Sequence, residues 1–539
     1  MSLFQRILPA ILLFFLYLLP GFGQIRPPNL VVVIVAEQFR ADYLDLLRPE
    51  FSAGGFERLL TQGAVYRRCR YDHLTTLAAP NAATFATGAY PQVHGIVADR
   101  WFDRETQRVI EAVEQAASEG SSPTASFSAQ RLHGSTFADE LLLATGGGSR
   151  IVAISDRPGA AVLLGGRSPL GCFWMNRDGR FETSANFRPL PAWAQEFNAQ
   201  NSASQYDGQA WMALRAPEGA APLRVLRSAE APAANDFFAL YHSSPFSAAD
   251  TLAFARRAIE AESLGRGTYT DLVVVNLSAP ALLGHETGAD SPLMRDMVLQ
   301  LDRLLAQFLT SLDEQIGLDK TLLVFSGGHG LPPLPENARR LGMPAGRVSG
   351  ESVVQAMNTA LAEHFGPTVF VEKYVYPFVY LNAEAHSRTP DVRLRIIATA
   401  GEAARRLPGV AGYYSPEVAA IPAPFETRLR RSWYSPRSGD FLLVYEPYYV
   451  ESYSDSRGTA SGSPYRYDTD VPLVFLGRPF KAAHFAADVD ATSIAPTLST
   501  VLGIPAPSSA TGVVLGEAIM AADPQPAVQP PAPVTRRSR

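Results

Sequence analysis

The chain has 539 residues, enough for one large α/β domain with insertions or for two or three smaller domains at ~100–200 residues each. Hydrophobic residues make up 47%, charged residues 18% and aromatics 10%, which excludes a disordered chain and a polytopic membrane protein. The formal charge of −5, from 52 acidic and 47 basic residues with no basic block in the body, excludes non-specific nucleic-acid binding, whose footprint is clustered Lys and Arg.

Arg6, the apolar run 7–19, Pro20 and the small-residue pattern Gly21-Phe22-Gly23 predict a secretory leader cleaved after Gly23. The run of 13 residues falls short of the ~20 that cross a bilayer as a helix. An uncleaved anchor is the alternative. The mature chain is therefore expected in the periplasm or outside the cell, with no stable membrane span. In that oxidising setting Cys69 and Cys172 either pair or stay free. At the other end, residues 523–539 are rich in Pro, Ala and Gln and predict a solvated, disordered tail.

Between them, the β-branched run 30–35 closes on Ala36-Glu37-Gln38, the pattern of a buried parallel strand that delivers a polar residue to the sheet edge. Similar runs stand at 150–154, 272–277, 322–325 and 472–476. Helical patterns alternate with them at 56–62, 82–87, 248–262, 295–312, 352–364 and 391–407. The alternation predicts an α/β fold, a mostly parallel sheet with helices on both faces, and directs attention to the carboxyl ends of its strands. Residues 165–244, rich in Ala, Ser, Pro and aromatics, break the alternation and read as an inserted cap over the sheet edge.

The residues at the strand ends carry a resemblance. Val35 to Leu44, Ala78-Ala79-Pro80-Asn81, Thr87-Gly88-Ala89-Tyr90-Pro91, His94-Gly95-Ile96, Ser155-Asp156-Arg157, Gly284-His285, Gly328-His329-Gly330, Gly462-Ser463-Pro464-Tyr465 and Ile494-Ala495-Pro496-Thr497 follow in order along the chain. Together they resemble the alkaline phosphatase superfamily, and within it the threonine-nucleophile bacterial alkaline phosphatases and the type I phosphodiesterase/nucleotide pyrophosphatases. The resemblance implies a two-zinc in-line displacement, with a threonine nucleophile at a helix N-terminus, six Asp or His ligands, and cationic or amide groups for the phosphoryl oxygens.

Position by position, much of that equipment is altered. The nucleophile position is Ala78. Of one metal's ligands, an aspartate becomes Glu37 and an Asp-His pair becomes Gly328-His329. Of the other's, the Asp-x-x-x-His pair falls on Ala281 and His285, and a late histidine is Ser461. The family's Lys-Asp-Arg reads Ser155-Asp156-Arg157, and its substrate-binding asparagine is Asp99. None of the three lysines, Lys320, Lys373 and Lys481, takes the vacant place. Arg157 is either an anion anchor or the partner of Asp156 or Asp99 in a structural ion pair. Glu37, His285 and His329 are either hydrogen-bonded structural residues or the remnant of a metal site.

Two readings follow. The leading one is an exported pseudoenzyme that needs no cofactor and binds a ligand or an envelope partner in the old cleft, with Arg157 and Asp99 as its substrate-site residues. The alternative is a divergent phosphate or sulfate ester hydrolase in which Glu37, His285 and His329 hold one divalent ion, zinc foremost. A purely structural envelope protein is a third.

Overall fold

The structure is a computed structural model that describes residues 27–115, 126–201, 203–227, 236–417, 425–452 and 457–520. The predicted leader and tail lie outside the described residues.

Seven strands build the frame: β1 (Leu30–Ala36), β2 (Ala64–Arg70), β3 (Ile151–Ser155), β4 (Gly171–Met175), β5 (Asp271–Leu277), β6 (Thr321–Gly327) and β7 (Asp470–Leu476). Their order across the sheet is β2-β7-β6-β1-β5-β3-β4, extended by short strands at both edges. Every residue of β1, β5 and β6 is buried, which is why these segments read as continuous apolar runs and not as alternation. Strands β6, β1, β5, β3 and β4 run parallel. Strand β7 runs antiparallel to both its neighbours. The loop that precedes it already lies at the carboxyl edge, so the chain can enter the sheet only from that side.

Helices cover both faces. The 24-residue helix Pro292–Gln315 buries Met294, Met297, Leu301, Leu305 and Leu309 along one stripe and is tied across the face by Asp302. Asp302, fully buried, accepts from the backbone N–H groups of Ser52 and Phe56, each at 2.7 Å. It thereby supplies the N-terminus of the helix Phe56–Gln62 with a cap that its own Gly55 cannot offer.

Segment 165–244, expected as a cap, begins inside the sheet, since β4 pairs parallel with β3. Of its described remainder, Trp193 and Phe181 pack on the helix Pro245–Ala261 against Phe254, the latter stacked on Phe181 with centroids 3.9 Å apart.

The helical patterns at 352–364 and 391–407 are correct in type but serve a different layer. The helices Gly350–Phe365 and Pro390–Arg405 cover a second, antiparallel sheet of four strands, ordered Val371–Val375, Phe378–Leu381, Phe441–Tyr445, Val410–Tyr414, with its own buried cluster around Val353, Met357, Ile396, Ile397 and Leu443. An amphipathic stripe specifies that a helix has something to cover, not which sheet.

Cys69 and Cys172 sit on β2 and β4, six strand spacings apart, or about 29 Å at ~4.8 Å per strand. A disulfide needs Cα atoms within about 7 Å, so the pairing left open by the sequence does not form. Both thiols are buried and free, and burial pushes both pKa values up. The full-length protein denatured without reductant should therefore titrate two thiols with a chromogenic disulfide. Replacing Asp302 by Ala orphans two buried N–H groups and should lower unfolding free energy by about 2–4 kcal/mol, readable as a fall in the urea midpoint.

Candidate functional site

Parallel register brings the site together. Ala36 pairs with both Leu277 and Gly327, and Asn276 with Ser155, so the residues that follow (Glu37, Ser278, Gly328 and Asp156) emerge side by side at one edge. The ladder continues one step further: Glu37 N–H donates to Leu277 and Gly328 N–H donates to Ala36. Asn81, on the helix Ala78–Thr87, donates at 2.7 Å to the Gly328 carbonyl and holds that helix's first turn at the same edge.

The edge opens into a cavity of about 1290 Å³. Glu37, Ala78, Asp99 and Arg157 line it, and so do Ala281, His285, His329 and Ser461. The nucleophile position, the metal-ligand positions other than Gly328, and Asp99 and Arg157 are therefore in one place.

The fate of each group is specific. Ala78 is the first residue of its helix and presents a methyl group to the cavity. Nearby hydroxyls do not substitute: Thr76 donates to the Ser463 carbonyl at 2.6 Å, Thr75 lies against His73, and Thr84 meets His94 at 3.1 Å, all three fully buried. Asp99 accepts from the Ala79 N–H at 2.7 Å. A carboxylate thus occupies the helix N-terminus, the place where an anion is best stabilised.

Most of the potential metal donors are engaged elsewhere. Asn276, 2% exposed, donates to Glu37 Oε1 at 2.8 Å and also faces the hydroxyls of Ser155 and Ser278, each at 3.1 Å. His285 Nδ1 donates to the Thr459 carbonyl at 2.9 Å, so the neutral ring's Nε2 accepts from the Gln38 amide at 3.0 Å. Gln38 is fully buried at φ +57°, and its Oε1 has no hydrogen-bond partner. His329 Nδ1 donates to the Gly330 carbonyl at 2.9 Å, leaving Nε2 uncommitted. Among the described residues no group of three or more His, Cys, Asp or Glu side chains is placed to hold a metal ion. The donor set does not fit a two-zinc centre.

The structural ion pair considered for Arg157 does not form. Asp156 turns inward and accepts from Thr251 at 2.8 Å and from the Ser278 N–H at 2.6 Å. The guanidinium of Arg157, like those of Arg100, Arg177 and Arg457 on the same cavity wall, has no carboxylate within 4 Å among the described residues. The lining carboxylates are mostly occupied, Glu182 by the Trp174 indole at 2.9 Å and Glu286 by Arg224 at 2.7 Å. Glu111, exposed at the rim, stands directly across its strand pair from Arg100, whose charge favours its ionised form.

Sequence reasoning missed Gln38, Asn276, Arg100, Arg177 and Arg457. Asn276 had a visible signal, a lone amide inside an apolar strand run. The arginines sit in loops or at strand ends, where nothing in the sequence shows that they share a wall.

A family model described as type I phosphodiesterase/nucleotide pyrophosphatase matches residues 31–465. The chain is similar to alkaline phosphatase PafA of Elizabethkingia meningoseptica, 29% identical over 91% of this chain and 94% of that one. It is also similar to alkaline phosphatase PhoV of Synechococcus elongatus, 28% identical over 90% and 92%. The crystal structure of wild-type PafA superposes with a TM-score of 0.80 at 27% identity, covering 92% of this chain and all of that one. Murine ectonucleotide pyrophosphatase/phosphodiesterase 5 shares the fold at a TM-score of 0.53 and 14% identity.

The burial of His285 makes stability depend on pH. Burial lowers its pKa to about 4, against ~6.5 in an unfolded chain. The native state therefore resists a proton that the unfolded state accepts. The stabilisation is complete above about pH 6.5 and is lost as pH falls toward 4, by up to about 1.4 kcal/mol per pH unit. Urea unfolding should show the wild type's advantage over His285→Gln shrinking between pH 7.5 and pH 5.

Proposed function

The chain belongs to the type I phosphodiesterase/nucleotide pyrophosphatase family of the alkaline phosphatase superfamily, and on that premise we propose that it is an exported pseudoenzyme, which binds an anionic ligand in the family cleft without hydrolysing it. The observation that carries this reading is the methyl group of Ala78 at the helix N-terminus, with every neighbouring threonine hydroxyl committed elsewhere.

Magnitudes support it. Uncatalysed phosphate monoester hydrolysis needs acceleration of up to ~10²¹, and losing a nucleophile that acts as part of a unit costs on the order of 10⁶ by itself. Here the ligand positions Ala281, Gly328 and Ser461 carry no donor of the family type, and Ser155 replaces the lysine. What survives is charge. Four arginines, none within 4 Å of a carboxylate among the described residues though Arg100 faces Glu111, line the cavity, an arrangement suited to holding phosphate or sulfate, to which a guanidinium donates two parallel hydrogen bonds.

The names of the relatives favour hydrolysis, and the second reading is hydrolysis by a single ion held at Glu37, His285 and His329. It requires Asn276 and Gln38 to release Glu37 and His285. Envelope partners and the periplasmic or extracellular location belong to the same proposal as the predicted leader.

Elemental analysis of the purified full chain, alongside a panel of phosphomonoester, phosphodiester and sulfate ester, should find less than stoichiometric zinc and no turnover. The variant Ala78→Thr, Ala281→Asp, Gly328→Asp, Ser461→His should gain zinc. Turnover by the native chain that His329→Ala abolishes would overturn the pseudoenzyme in favour of the single-ion hydrolase.

A further inference from the structure

A second cavity of about 600 Å³ opens off the first, and Arg157, Arg177, Met175 and Leu282 form walls of both. Its outer side is the helix Asp236–His242, which contributes Phe238 and Leu240. The volume is that of a site for a sizeable organic group.

The chemistry of this annex follows from which of its groups are already engaged. Asp156 is bound by Thr251 and the Ser278 N–H. Glu286 is paired with Arg224, and Asn176 Oδ1 accepts from the backbone of Asp178 and Arg180, each at 3.0 Å. His242 Nε2 donates to the Arg177 carbonyl at 3.0 Å, and the Ser243 hydroxyl donates to the Ala239 carbonyl at 2.8 Å. The uncommitted surface is then the guanidinium groups of Arg157 and Arg177 with the Asn176 amide N–H2 at the junction, His242 Nδ1, and the apolar side chains of Met175 and Leu282, shared by both cavities, and of Phe238 and Leu240 in the annex.

We propose that the ligand is an amphiphilic anion, an alkyl phosphate monoester whose head lies between Arg157 and Arg177 and whose chain fills the annex. This rests on the reading that the main cavity binds anions and specifies what the anion carries. The junction arginines and the Asn176 amide hold the head, and the four apolar side chains remove the chain from water, while most of the annex's other polar atoms are already hydrogen-bonded.

The test is calorimetric titration of the full chain with inorganic phosphate and with butyl, hexyl and octyl phosphate below their micellar concentrations. Affinity should rise with chain length by about fourfold for each methylene buried. Phe238→Ser should flatten the series while leaving inorganic phosphate binding unchanged, and Leu240→Ser, a milder change at a half-buried position, should reduce the gain in the same way. Arg157→Ala should weaken every member together. Phosphate binding with no dependence on chain length, or a dependence that both annex variants leave intact, would overturn the amphiphile and spare the anion-binding reading. No binding by any member of the series would overturn both. Co-sedimentation with phosphatidylglycerol vesicles in the absence of binding to soluble esters would assign the apolar groups to a bilayer and also overturn the proposal.

Discussion

The register of the parallel strands is the constraint on which the rest depends. A strand buried on both faces cannot slide by one residue without exchanging every side chain between the two helical layers. With Ala36 locked beside Leu277 and Gly327, the first residue beyond each strand has no choice of level. Residues separated by hundreds of positions, Glu37, Asp156, Ser278 and Gly328, therefore form one line at the carboxyl edge, and the helix bearing Ala78 is docked to that line through Asn81.

What stands on that line is a set of polar groups that satisfy one another. Asn276 bridges strands β1, β5 and β3 through Glu37, Ser155 and Ser278. Asp99 caps a helix whose own N-cap residue, Leu77, has no side chain able to do so. Gln38 and Thr459 take both nitrogens of His285. A buried polar atom without a partner costs about 1–3 kcal/mol, so polar side chains in this cleft are stabilised by turning to neighbours. Arginines facing an open cavity are under no such pressure, because water solvates them, and they remain available.

Much of this is legible in the sequence. The five apolar runs are strands, and the helices at 56–62 and 295–312 stand where the 3.6-residue periodicity puts them. Most of the singled-out site positions line one cavity, because motifs at strand ends inherit the register of the sheet. The second antiparallel sheet is not legible in the same way. Its strands are four or five residues long, and the stretch Val371–Val375 mixes exposed charges with apolar residues, so its pattern is weak beside that of its two helices. The role of Gln38 is hidden for another reason: a polar residue after a strand has no visible partner until the fold brings His285 to it across 247 positions.

The sequence by itself determined which residues could do chemistry. Ala78 lacks an oxygen, Ala281 and Gly328 lack donors, and no lysine stands beside Arg157; these are properties of composition at a position, independent of how the chain is packed. Only the tertiary structure decided what the remaining groups do, because hydrogen bonding and ion pairing depend on distances between residues far apart in the chain. It separated Cys69 from Cys172 by six strand spacings, turned Asp156 away from Arg157, and gathered four arginines, without ion-pair partners among the described residues, beside an apolar annex.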